Sequence, residues 1–93
     1  MSVQVKNLIQ KPLSLFITTT CPFCINANKL AVRQGVNPEV VRLDETSEGP
    51  AIRRELTELT DQRTVPYVFS KGEFIGGFTD LAKKSPEFWN SLK

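Results

Sequence analysis

The segment Leu13-Ser14-Leu15-Phe16-Ile17-Thr18 is apolar at nearly every position rather than at every second one. A strand with one face in water alternates, whereas a strand covered on both faces reads as a continuous apolar run. The rest of the chain must therefore supply helices for both sides of a sheet in which this strand is central. Immediately downstream, Pro22 stands where a first helical residue is favoured, and Phe23, Ala27, Leu30 and Ala31 keep helical spacing up to Gly35. Residues 39–44, Glu39-Val40-Val41-Arg42-Leu43-Asp44, then read as a second strand. Two strands joined through a helix form a βαβ unit, parallel and right-handed.

The flanking segments extend this pattern. Residues 2–9 read as a short opening helix whose end is marked by Pro12. Ser47 is placed to cap a further helix, with Pro50 in its first turn and Ile52, Leu56 and Leu59 on one face. After Thr64-Val65-Pro66 come two short strands, residues 67–70 and 73–75, joined by a tight Lys71-Gly72 hairpin. Gly76-Gly77 ends the sheet. A last helix starts at Thr79, breaks and restarts at Ser85-Pro86, and sends Phe88, Trp89 and Leu92 back to the core. The order βαβαββα predicts an α/β fold, a small mixed sheet with helices on its faces, in one domain over residues 1–93.

Composition removes several function classes. A formal net charge of +2 is no basic stripe, so nucleic acid is not an expected partner. The apolar run is far below the ~18 residues that span a bilayer. A soluble, cytoplasmic protein is expected, or an organellar one if a targeting segment has been trimmed. With no histidine, Ser-His and Cys-His nucleophile pairs and imidazole zinc sites are excluded. The two cysteines, Cys21 and Cys24, are too few for a closed zinc site, which takes four ligands. A disulfide closing so short a loop would constrain the unfolded chain little.

What remains for Cys21-Pro22-Phe23-Cys24 is redox chemistry, because the pair falls where a buried strand meets a helix. A free thiol is only a few per cent thiolate at neutral pH, and the thiolate is the nucleophile. At a helix N-terminus, unpaired N–H groups and the helix dipole stabilise that anion. Cys21 takes this position and should attack. Cys24, one turn inside on the same face, should resolve. As two ordinary core cysteines, the pair would give neither Pro22 nor the spacing a reason.

Thr20-Cys21-Pro22-Phe23-Cys24, Thr64-Val65-Pro66 and Gly76-Gly77-Phe78-Thr79-Asp80 occur in the order and spacing of dithiol glutaredoxins. The chain resembles that family from about Leu13 to its end. The resemblance implies a thioredoxin-like (glutaredoxin) fold, a four-stranded mixed sheet flanked by helices. It also implies a glutathione-dependent thiol–disulfide oxidoreductase that reduces protein–glutathione mixed disulfides and protein disulfides. Glutathione or a related low-molecular-weight thiol would be co-substrate, and the couple would lie near the −200 to −230 mV typical of such proteins.

By the same resemblance, Thr64, Val65 and Pro66 pair with the cysteinyl backbone of the bound thiol, with Pro66 in the cis form. Gly76 and Gly77 allow close backbone approach. The N–H groups of Thr79 and Asp80 receive the γ-glutamyl carboxylate, and the Asp80 side chain takes the ammonium. Arg53 serves the glycyl carboxylate, and Phe23 walls the site. The protein would act as a monomer. The alternative within the resemblance is a [2Fe–2S] cluster held between two protomers through Cys21 of each, with a storage, transfer or sensing role. Two departures stand out. Thr18 occupies the place of a lysine common in the family, with no Lys or Arg from Pro12 to Asn28, leaving room for a different or larger thiol. Thr60-Asp61-Gln62 lacks the glycine often found at that helix end.

Overall fold

Strand β1 (Ser14–Ile17) is buried along its whole length, and the neighbours that bury it define the architecture. The structure, a computed structural model, describes residues 3–93; Ser2, at the start of the expected opening helix, lies outside them. Around β1 the chain forms α1 (Val3–Leu8), α2 (Pro22–Arg33), β2 (Glu39–Arg42), α3 (Gly49–Thr60), β3 (Tyr67–Ser70), β4 (Glu73–Gly76), α4 (Phe78–Ala82) and α5 (Pro86–Ser91). The four-stranded sheet has the order β2-β1-β3-β4. β1 pairs parallel with β2, Leu15 opposite Val40, and antiparallel with β3, Phe16 opposite Tyr67. β3 and β4 close the sheet as an antiparallel hairpin.

The pleat then sorts side chains by parity. Leu15, Ile17 and Val68 belong to one core with Cys24, Ala27 and Ala31 of α2, Leu81 of α4, Trp89 of α5 and Leu92 beyond it. Phe16, Tyr67 and Phe69 belong to the other, with Val5 of α1 and Ile52 and Leu56 of α3. The central strands β1 and β3 are fully buried, while the edge strands β2 and β4 are partly exposed. The continuous apolar run thus reads as expected, and the mixed four-stranded sheet with helices on both faces is the observed fold.

Element boundaries differ where long-range or backbone contacts take over. β2 stops at Arg42, and Asp44 turns back to bond the loop after β1. Ser47 does not cap α3. A tight turn, with Gly49 N–H donating to the Thr46 carbonyl at 3.0 Å, puts Glu48 at the N-cap, and no side chain bonds there. Gly49 is required for a different reason: a Cβ at this position would overlap the Leu43 carbonyl. The hairpin turn is as expected, with Lys71 (φ 53°) and Gly72 (φ 87°) both left-handed, the type I′ geometry that matches strand twist. The last helix starts one residue early, at Phe78, and restarts at Pro86, where the Ser85 hydroxyl accepts from Phe88 N–H at 3.3 Å.

Phe16 is fully buried and meets Phe69 edge to face, with ring centroids 5.8 Å apart. Phe16→Ala should cost about 3–5 kcal/mol, a large share of a small domain's stability. A urea midpoint shift well below that range would mean the α1/α3 layer collapses into the space left.

Candidate active site

Cys21 is the N-cap residue of α2, with extended backbone (φ −88°, ψ 117°). A side-chain acceptor at this position normally satisfies an orphan N–H of the first turn. Here the acceptor is sulfur: Cys21 Sγ receives the Cys24 N–H at 3.3 Å. On its other side the thiol donates to the Val65 carbonyl at 3.9 Å. Pro22 follows as the first helical residue, where its missing N–H costs nothing. Cys21 is partly exposed, whereas Cys24 is fully buried.

That burial, reinforced by the Cys21 sulfur beside it, pushes the Cys24 thiol from its ordinary 9.0 up to about 12. Cys24 therefore stays protonated throughout the physiological range. The two sulfurs thus have different surroundings: the accessible one accepts the Cys24 N–H, and the inner one is a buried thiol.

Phe23, Thr64, Val65, Pro66, Gly77, Thr79 and Asp80, all expected at the site, line one cleft of about 200 Å³ beside the cysteines. The Val65–Pro66 bond is cis. Phe23 is 59% exposed and leans on Phe78, ring centroids 6.1 Å apart, forming an apolar rim. Gly76 lies at φ 131°, and a side chain there would run into the Asp80 carboxylate. That carboxylate accepts the Gly77 N–H at 3.1 Å, so Asp80 both holds the start of α4 and faces the cleft.

Cys21 and Cys24 stand beside the cleft without lining it, and Arg53 is the expected thiol-binding residue that does not line it. Its guanidinium donates to the Arg63 carbonyl at 3.2 Å, and its charge acts on Cys24 only as the weakest influence on that thiol.

Three residues escaped the sequence reading of the site, Phe78 at the rim, Gln62 and Asp44. Gln62 lines the cleft, and its side-chain amide donates to the carbonyls of Thr64 at 2.7 Å and Pro66 at 3.0 Å. Asp44 accepts from Thr19 N–H at 3.0 and 3.2 Å and from the Thr19 hydroxyl at 2.6 Å, tying the loop before Cys21 to the end of β2. These bonds hold the Asp44 carboxyl below its usual range. The only sequence signal for Gln62 was its place just before Thr64-Val65-Pro66. Asp44 had none, because its partner is 25 residues away.

A mixed four-stranded sheet with a Cys-x-x-Cys pair capping the helix after its central strand defines the thioredoxin-like class. The glutaredoxin family model matches residues 13–75. Glutaredoxin-1 of Rhizophagus irregularis is 43% identical over 79 residues, covering 84% of this chain and 78% of that protein. The mitochondrial Glutaredoxin-2 of Homo sapiens is 40% identical over 86 residues, covering 87% of this chain, which spans 52% of that protein. Among solved structures, a buckwheat glutaredoxin–glutathione complex superposes with a TM-score of 0.87 at 34% identity, covering 97% of this chain and 81% of that one. The chain belongs to the glutaredoxin family, whose role is thiol–disulfide oxidoreduction.

Two expectations follow for the site. In the folded protein at pH 8, iodoacetamide should modify Cys21 and leave Cys24 untouched, and Cys24 should react once urea unfolds the chain. Peptide mapping reads this out, and native modification of Cys24 at a comparable rate would contradict its burial. Asp44→Asn should lower the urea midpoint at pH 7. Because folding lowers the Asp44 pKa, its contribution is present above the ordinary value of 3.8 and is lost as pH falls below it. The gap between wild type and variant should therefore close in acid.

Proposed function

We propose that this protein is a glutathione-dependent oxidoreductase that reduces protein–glutathione mixed disulfides and protein disulfides. The observation that carries the reading is the position of Cys21 Sγ, which accepts the Cys24 N–H at 3.3 Å and bonds the Val65 carbonyl at 3.9 Å at the end of the cleft. A thiol bound along Val65, with its carboxylate toward Thr79 and Asp80, would carry its sulfur to Cys21. The buckwheat relative, solved as a glutathione complex, supports glutathione as that thiol.

In the first step the Cys21 thiolate attacks the glutathionyl sulfur. The new Cys21–glutathione disulfide forms as the old disulfide breaks, and the substrate protein leaves as its thiolate. A second glutathione thiolate then attacks the adduct, releasing glutathione disulfide and restoring Cys21. Alternatively Cys24 loses its proton and attacks Cys21, expelling glutathione and leaving the internal disulfide. Burial of Cys24 works against the thiolate that this second route requires. The reducing cytosol suits this chemistry, and a monomer suffices for it.

A [2Fe–2S] cluster takes four thiolates; one chain offers Cys21 as its accessible thiol, so that alternative needs Cys21 of a second protomer and two external thiols. Thr18, where a lysine is common in the family, leaves room for a different or larger thiol.

Cys21→Ser should reduce turnover of a glutathionylated peptide to background. Cys24→Ser should keep that turnover while losing reduction of an intramolecular protein disulfide. Coupled glutathione disulfide production measures both. Activity retained by Cys21→Ser and lost by Cys24→Ser would reverse the roles and end the reading.

A further inference from the structure

The cleft's central strand-like segment is held from behind by a single side chain. Gln62 Nε2 donates one hydrogen to the Thr64 carbonyl at 2.7 Å and the other to the Pro66 carbonyl at 3.0 Å. Both partners are carbonyl oxygens, so the NH₂ end of the amide must face them, and its two donors are both used. The carbonyl between them, that of Val65, is turned instead to Cys21 Sγ at 3.9 Å.

Gln62 is itself anchored. Its backbone N–H donates to the Thr60 hydroxyl at 3.1 Å, and that hydroxyl donates to the Leu56 carbonyl at 2.7 Å. The Gln62 carbonyl accepts from the hydroxyl of the fully buried Tyr67 at 2.8 Å. Asp61, in the left-handed region at φ 62°, turns the chain out of α3 and delivers Gln62 to this position. The amide thus joins a rigid helix end to a loop that would otherwise present three carbonyls free to turn.

We infer that Gln62 is a positioning residue for thiol capture, acting through Val65. By occupying the Thr64 and Pro66 carbonyls, it fixes one backbone edge of the loop and keeps the Val65 edge facing the cleft beside Cys21. An incoming cysteinyl backbone then meets a preformed pairing edge and does not have to order the loop on binding, a cost that preorganisation removes. The inference rests on the thiol-binding reading above for its functional consequence. The splint itself rests on the hydrogen bonds.

The test compares wild type with Gln62→Met, similar in length but without donors, and Gln62→Glu, which replaces the NH₂ with an oxygen facing two carbonyl oxygens. Hydrogen–deuterium exchange over residues 63–66, KM and kcat for glutathione with a glutathionylated peptide, and the Cys21 alkylation rate are measured on each. Both variants should speed exchange at 63–66 and raise KM for glutathione by about 3- to 10-fold, the effect of one net hydrogen bond. kcat and Cys21 alkylation should stay near wild type, with Gln62→Glu the more impaired of the two. Unchanged exchange would overturn the splint, and faster exchange with unchanged KM would reduce Gln62 to a structural residue. If wild type itself fails to turn over with glutathione, the proposed function falls, and the exchange data alone then decide the splint.

Discussion

The hydrogen bond from the Cys24 amide to the Cys21 sulfur joins fold to site, because the atom that caps α2 is the more accessible sulfur of the pair. An ordinary N-cap oxygen stabilises a helix by accepting an orphan N–H. Here a sulfur fills that role, so the atom that closes the first turn of α2 also stands against the Val65 carbonyl of the cleft. The arrangement depends on where β1 ends. Its burial on both faces fixes the strand, the strand fixes the start of α2, and the start of α2 fixes Cys21.

Three supports from different parts of the chain frame the site, one of them touching that sulfur directly. Asp44, two residues past the edge strand β2, holds the loop before Cys21 through Thr19. The Val65 carbonyl approaches from the segment entering β3. Gly77 and Asp80 set the start of α4 across the cleft. None of these groups is near another in sequence. The sheet order β2-β1-β3-β4 brings the ends of β1 and β2 and the start of β3 to the same edge.

The fold was legible because its strongest signals are local. The uninterrupted apolar run predicted a doubly covered strand, Lys71-Gly72 predicted a two-residue hairpin, and Ser85-Pro86 predicted a helix start. All three depend on neighbours in sequence. The cysteines were legible for the same reason, and the cleft residues through motifs that resemble those of a known family. What could not be read depends on distant partners. Ser47 looked like a cap until the chain turned at Thr46 and Gly49 met the Leu43 carbonyl. Arg53 stands on the right helix, but the Arg63 carbonyl draws its guanidinium aside. A glutamine or aspartate shows its role only once its acceptors or donors are placed.

The partition of the core by the sheet has an optical consequence. The sequence holds one tryptophan and one tyrosine. Trp89 is buried in the layer with α2 and Cys24, and Tyr67 in the opposite layer under α1 and α3. Each face of the sheet therefore carries its own intrinsic fluorophore. Because tyrosine passes its excitation to tryptophan across so small a molecule, Trp89 emission is the signal, and it reports on the layer that carries Cys24, with no label added.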